Sequence, residues 1–207
     1  MAKYGAQYLQ WAKIQSDADP TKLPTYEAAI NLGRLQKVSD SPNFNEAKAG
    51  GDDATREVVK EMADANVDVE ILELMNEVAK EVLGAAIDDS EDLHHKIDDN
   101  GPPGGMAFYT TRMIDKQKRF KGIFYPCLQA AMVGEEYETK GGAGGGSISL
   151  TGGKLSFIAT GTESRDWKIE SKLFTKEADA KAWVDEKLPP EIQQPEPQEE
   201  QQGDGEP

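Results

Sequence analysis

The stretch GMAFYTTRMI-DKQK-RFKGIFYP, residues 105 to 126, restricts the fold more than any other part of this chain. Two runs rich in aromatic and β-branched residues flank the charged Asp115-Lys116-Gln117-Lys118, the pattern of a β-hairpin. Pro126 has no N–H to give to a ladder, so the second strand is expected to lie at an edge or to end there.

Other segments keep the same two-residue period. YGAQYLQWAKI places Tyr4, Ala6, Tyr8, Ala12 and Ile14 on one face, and Asp17, Asp19 and Pro20 then supply turn chemistry. INLGRLQKVSD forms a second extended run that stops before Ser41-Pro42-Asn43, a loop signal. The small and polar residues from Asn43 to Asp53, with the pair Gly50-Gly51, predict a long exposed loop. Val67, Val69 and Ile71 resume the strand period. GSISLTGGKLSFIATG predicts two short strands about Gly152-Gly153. DWKIESKLF predicts a strand with Trp167, Ile169 and Leu173 inward and Lys168, Glu170 and Lys172 outward.

Helical spacing occurs twice. Ile71, Leu74, Met75, Val78, Ala79 and Val82 make one apolar stripe, with Gly84 placed as a left-handed C-cap. A last helix is expected from about Lys176 to Lys187, capped by Thr175 and burying Ala180, Trp183, Val184 and Leu188. About eight strands and two helices predict a mainly β fold, a β-sandwich or small barrel with one or two flanking α-helices.

Charge narrows the function classes. The 207 residues carry 38 Asp and Glu against 23 Lys and Arg, a formal charge of −15. Such a chain repels a nucleic-acid backbone, which argues against a groove binder. A single cysteine, Cys127, excludes an intrachain disulfide and a cysteine zinc cage. No apolar stretch approaches the roughly eighteen residues of a membrane span, and MAKYGAQYLQ lacks a secretory apolar core. The expectation is a soluble protein made without export and without a membrane anchor. Residues 189–207 hold six acids and no base, with only Ile192 as a sizeable apolar group. They are expected to be a disordered acidic tail after a β domain spanning residues 1–188.

The search for chemistry finds no enzyme. DDSEDLHHKIDDN, residues 88 to 100, offers carboxylates with His94 and His95, but adjacent strand histidines point to opposite faces and the EF-hand spacing is missing. A solvated acidic edge explains it better than a metal site. GGAGGGS, residues 141 to 147, lacks the Gly-Lys-Ser/Thr of a phosphate loop and fits a flexible turn. No G-x-S-x-G is present. Cys127 lies in apolar FYPCLQAAM, and Tyr4, Tyr8, Trp11, Phe120, Phe124 and Tyr125 fit a core better than a base-stacking platform. No catalytic, cofactor-binding or metal residue is assigned, and no cofactor is expected.

Three stretches resemble the major tail proteins, or tail tube proteins, of long-tailed non-contractile bacteriophages. They are SPNFNEAKAGGDD (41 to 53), DVEILELMNEVAKEVLG (68 to 84) and GGMAFYTTRMIDKQKRFKGIFYPCLQAAMVGEEYETKGG (104 to 142). The GGAGGG run and the acidic tail depart from that pattern. The resemblance implies a tail-tube-like β fold whose copies form homohexameric rings, stacked into a hollow tube that conducts DNA into the host.

It implies further partners as well: a tape measure protein, a tail terminator and baseplate proteins, with genomic DNA passing through the lumen without specific binding. The location implied is the virion tail, assembled in the bacterial cytoplasm. The loop from Ser39 to Asp53 is similar to the family's extended inter-subunit loop, which singles out Ser41, Pro42, Asn43, Asn45, Glu46, Lys48, Asp52 and Asp53 as ring-stacking residues. The alternative is an acidic β-rich capsid decoration or a baseplate or host-binding module; a metal-dependent hydrolase built on the Asp/His cluster is the third reading.

Overall fold

The computed structural model describes residues 3–17, 19, 21–51, 54–131 and 153–190, and of residues 3, 4, 48–51 and 54–57 it describes the backbone alone. The fold is mainly β. In chain order the strands are β1 (Lys3–Ser16), β2 (Thr25–Tyr26), β3 (Ile30–Asn31), β4 (Leu35–Gly51), β5 (Ala54–Ile71), β6 (Ala86–Ile87), β7 (Leu93–His94), β8 (Gly104–Ile114), β9 (Gln117–Ala131), β10 (Gly153–Ala159) and β11 (Ile169–Phe174). Helix α1 (Asn76–Leu83) follows β5, and α2 (Glu177–Lys187) follows β11.

Nine of these strands join one antiparallel sheet in the order β2-β1-β8-β9-β10-β5-β4, with β3 also on β1 and β11 also on β9. The sheet curls so that β4 comes back beside β1, although no ladder joins them. Inside the curl lies the larger core, with Leu9, Trp11, Val67, Val69, Ile71, Met106, Phe108, Tyr125, Leu155 and Phe157 against Val78 and Val82 of α1. A smaller core lies on the other face of β1, β8 and β9, where Ala107, Tyr109, Phe120 and Phe124 meet Ala180, Val184 and Leu188 from α2 and its end. Strand β8 is therefore buried on both faces, which explains its nearly unbroken apolar run.

The hairpin signal is met by β8 and β9. Their turn is the two residues Asp115 and Lys116, at φ 49° and 62°, rather than four. Two positive φ angles match the right-handed strand twist. Gly84 caps α1 in the left-handed conformation, as its spacing predicts, while Ile71 belongs to β5.

Several expectations are corrected. Strand β1 does not keep one face. Its register against β8 shifts between Tyr4 and Ala6 and again between Gln7 and Gln10, with Gly5 and Tyr8 at positive φ. The shifts reverse the alternation, so Leu9 and Trp11 enter the larger core and Ala12 the smaller one.

Pro126 does not end β9; it is buried within it. Its position falls at a register shift opposite Gly104–Met106, and on the other side β11 ends its pairing at Phe124 while β10 begins at Leu128. The missing N–H thus falls where no ladder bond is called for. Leu173 is exposed rather than inward, because β11 shifts register between Glu170 and Leu173. Ser171 turns in instead and accepts the Gly122 N–H at 2.7 Å. The cap of α2 is Lys176 rather than Thr175, with no side-chain cap bond.

The expected loop from Asn43 to Asp53 is also corrected. The chain runs as strand through Ser41-Pro42-Asn43 to Gly51, and β5 returns alongside from Ala54. Proline is tolerated because β4 is an edge strand paired only with β5, so one side of it faces no ladder. The first of the two strands expected about Gly152-Gly153, the GGAGGG run and nearly all of the acidic tail lie outside the described residues; of residues 189–207, Pro189 and Pro190 are described.

Candidate assembly interface

The β4–β5 pair is longer than the sheet it belongs to. Pairing runs from Leu35↔Ile71 to Gly51↔Ala54, with register shifts at Leu35–Lys37, Asn43–Phe44 and Ala49–Gly50. Strand β10 supports β5 only from Ile71 to Ala65. Beyond that point, among the described residues, 43–51 and 54–64 form a two-stranded arm, and at about 3.3 Å per residue its nine-residue limb spans about 30 Å.

Opposed residues share a face, which places Phe44, Met62, Glu46, Lys60 and Val58 on one side of the arm and Asn45, Glu61, Ala47 and Val59 on the other. Met62 packs against the larger core where the arm leaves the body. Farther out, Phe44 is 56% exposed, Val58 48% and Val59 55%. A lone two-stranded ribbon is marginal in water, and these side chains add exposed apolar surface of the kind that marks an interaction site.

The predicted stacking residues lie along this arm and at its root. Ser41 pairs with Asn66 and Pro42 with Ala65, at the root. Asn43 donates its side-chain N–H to Asp64 at 2.6 Å. Asn45 faces Glu61, and Glu46 forms an ion pair with Lys60. Lys48 contributes backbone pairing to Val58, while Asp52 and Asp53 lie outside the described residues. Sequence reasoning took the outgoing limb as a loop and missed the returning one, with Val58, Val59 and Lys60. The available signal was the adjacent Val58-Val59, followed by a lysine able to pair with Glu46.

The root is fixed by a charge cluster. Lys168 Nζ lies 2.6 Å from Asp40 Oδ2 and 3.6 Å from Glu170 Oε1, and 5.7 Å from the centres of the Tyr125 and Trp167 rings. Lys121 pairs with Glu170. Glu170 is held below the ordinary carboxylate range, first by the Lys121 hydrogen bond and then by the charges of Lys121, Lys168 and Arg112, against an opposing effect of burial. Burial, then the Asp40 carboxylate and a hydrogen bond to it, push the Tyr125 phenol up. A group at the end of a long lever is useful only if the lever's base is rigid, and these contacts tie β4 to β9 and to the residue before β11.

The Asp/His segment is a small solvent-facing hairpin, β6–β7. Asp88 accepts the Ser90 and Asp92 N–H groups, and its other oxygen meets His94 Nε2 at 3.0 Å. His94 is the largest influence lowering the Asp88 carboxyl. Among the described residues no three His, Cys, Asp or Glu side chains converge as metal ligands. Cys127 is half-buried beside the Thr160 hydroxyl at 3.4 Å. No helix among the described residues is long and apolar enough to cross a membrane. Neither the protein-family models nor the curated proteins compared with this chain give a match.

Proposed function

We propose that this chain is a structural virion protein of the tail-tube type, whose copies join as six-membered rings stacked into a DNA-conducting tube. One observation carries the reading: an arm about 30 Å long, which among the described residues has no sheet neighbour beyond Ala65, displays Phe44, Val58 and Val59 to solvent. In a ring or stack the arm lies on the adjacent copy, which covers those side chains and gives its bare edges hydrogen-bonding partners.

The charge supports the same reading. A passage for DNA works best when it does not hold the polyanion, and a chain of −15 supplies few basic contacts. Among the described residues the outer face of β4, β5 and β10 has no helix over it, and it carries Ser39, Asp64, Asp68, Glu70 and Ser156 with two lysines, Lys154 opposite Glu70 and Lys37 paired with Glu70 at 3.0 Å. On this reading the chain is not an enzyme and needs no cofactor; its further partners are the tape measure, terminator and baseplate components of a tail.

Negative-stain microscopy of the full chain across a concentration series tests the proposal. Six-fold rings or stacked tubes are expected. A monomer at every concentration would contradict it, and three-fold assemblies or binding to a host surface glycan would favour a decoration or host-binding module instead.

A further inference from the structure

The turn end of β8–β9 stands apart from the rest of this acidic chain. Between Arg112 and Arg119 lie four bases, Arg112, Lys116, Lys118 and Arg119, and one acid, Asp115. Arg112 and Arg119 are directly opposed across the ladder, a like-charge pair that opposes pairing. Among the described residues neither has an acid within ion-pair distance: Arg119 donates to Gln117, at 2.7 Å, and the buried Arg112 Nε has no acceptor. Glu170, whose ionised form Arg112 also favours, is already held by Lys121 and Lys168. A tip with this charge fits carboxylates, above all two or more on one segment.

The same chain carries such a segment in its sequence. The seventeen residues after Pro190 hold Glu191, Glu196, Glu199, Glu200, Asp204 and Glu206 and no base. They depart from a fixed point: Ala29 donates to Pro189 O at 2.9 Å and bridges to Pro190. Ala29 precedes Ile30, which pairs with Trp11 of β1. Along β1 the Lys13 end faces Gly104, whereas the Lys3 end faces Arg112. The acidic segment therefore leaves the sheet level with Trp11 and Ala12, which face Met106 and Gly105, toward the end of β8 opposite the tip and about 23 Å from Arg112 at 3.3 Å per residue.

We infer that the acidic C-terminal segment of one copy docks on the Arg112–Arg119 tip of the next, forming a head-to-tail contact between copies. Placing the two partners apart makes the contact heterologous, the kind that propagates rather than closes on itself. Extended at about 3.3 Å per residue, the seventeen residues span about 56 Å, which reaches the tip of either copy, and the isotope mixture below separates the two. This inference goes beyond the tube reading and does not depend on ring size or on the arm.

The test is zero-length carbodiimide cross-linking of the full chain, mixed equally from ¹⁵N-labelled and unlabelled protein, with mass spectrometry of the linked peptides. Links from Lys116 or Lys118 to acids of residues 191–206, about half of them of mixed isotope, are expected. Their yield should fall at least fivefold in about 0.5 M salt, where screening shortens to a few ångströms, and likewise in the Arg112→Gln/Arg119→Gln chain. Absence of tip-to-tail links in the unsubstituted chain, or links of single isotope only, would overturn the inference whether or not the variant folds. Rings that form while these links are absent would leave the tube proposal standing and remove this one.

Discussion

Ala65 of β5 pairs with Ala159 on one side and with Pro42 on the other, and it is the last residue of its strand to be paired on both sides. At this point β5 loses its β10 partner, and Met62, three residues farther out, still packs against the larger core. A fully buried alanine and an edge proline mark the change in sequence.

Substitutions beyond that point separate folding from assembly. Phe44→Ser and Val59→Lys remove apolar surface that the isolated chain leaves in water, so thermal midpoints should shift by no more than the equivalent of about 0.5 kcal/mol. Association, read by sedimentation velocity, should be lost or weakened at least tenfold. A variant that assembles normally would remove the arm from the interface.

The root cluster responds to acid in a defined direction. The lowered Glu170 carboxyl binds its proton less readily folded than unfolded. Its stabilisation is therefore complete above the ordinary glutamate value of about 4.3 and disappears as pH falls through the lower folded value. Because the group is partly exposed, Glu170→Gln should cost only about 0.2–1 kcal/mol at pH 7. Urea midpoints of the two proteins should draw together as pH falls below the ordinary glutamate value of about 4.3, and a gap that stays constant over that fall would refute the assignment.

Helix α2 is latched by Tyr8, whose hydroxyl donates to Asp185 at 2.7 Å. Burial and that hydrogen bond push its phenol up to about 12. A raised folded value means the contribution is full below about pH 10 and is lost as pH rises through about 12. Tyr8→Phe should cost about 1 kcal/mol at pH 7, measured by urea unfolding, with the difference shrinking at high pH. No loss at pH 7 would mean that the bond stabilises nothing.

Gly122 lies under the helix. A β-carbon there would meet Trp183 ring carbons at 2.2 and 2.4 Å, and the ring is wedged between α2 and the sheet. Gly122→Ala should destabilise by about 1–3 kcal/mol, with a shift in tryptophan emission. An unchanged unfolding midpoint would show that α2 lifts away freely.

The mainly β class was legible because Val67, Val69 and Ile71 alternate cleanly and because the two aromatic runs of β8 and β9 flank a charged turn. The failures share one physical cause. Where a strand shifts register, at Gln7–Gln10 and at Glu170–Leu173, a period of two carries side chains to the wrong face, and nothing in composition announces the shift. Pro42 and Pro126 misled for a related reason. Proline breaks a strand only when its missing N–H faces a partner, and pairing partners are set by the whole sheet. The arm's residues were picked out as exposed, but their strand character depends on Val58–Met62, which the loop reading left aside.

Hydrogen exchange of the arm on association tests the central claim most directly. In the isolated chain, amides of residues 43–51 and 54–64 that face away from the β4–β5 ladder should exchange rapidly. On assembly they should gain protection of at least a hundredfold, together with a matching surface on the receiving copy. Assemblies in which these amides exchange as fast as in the monomer would contradict the account.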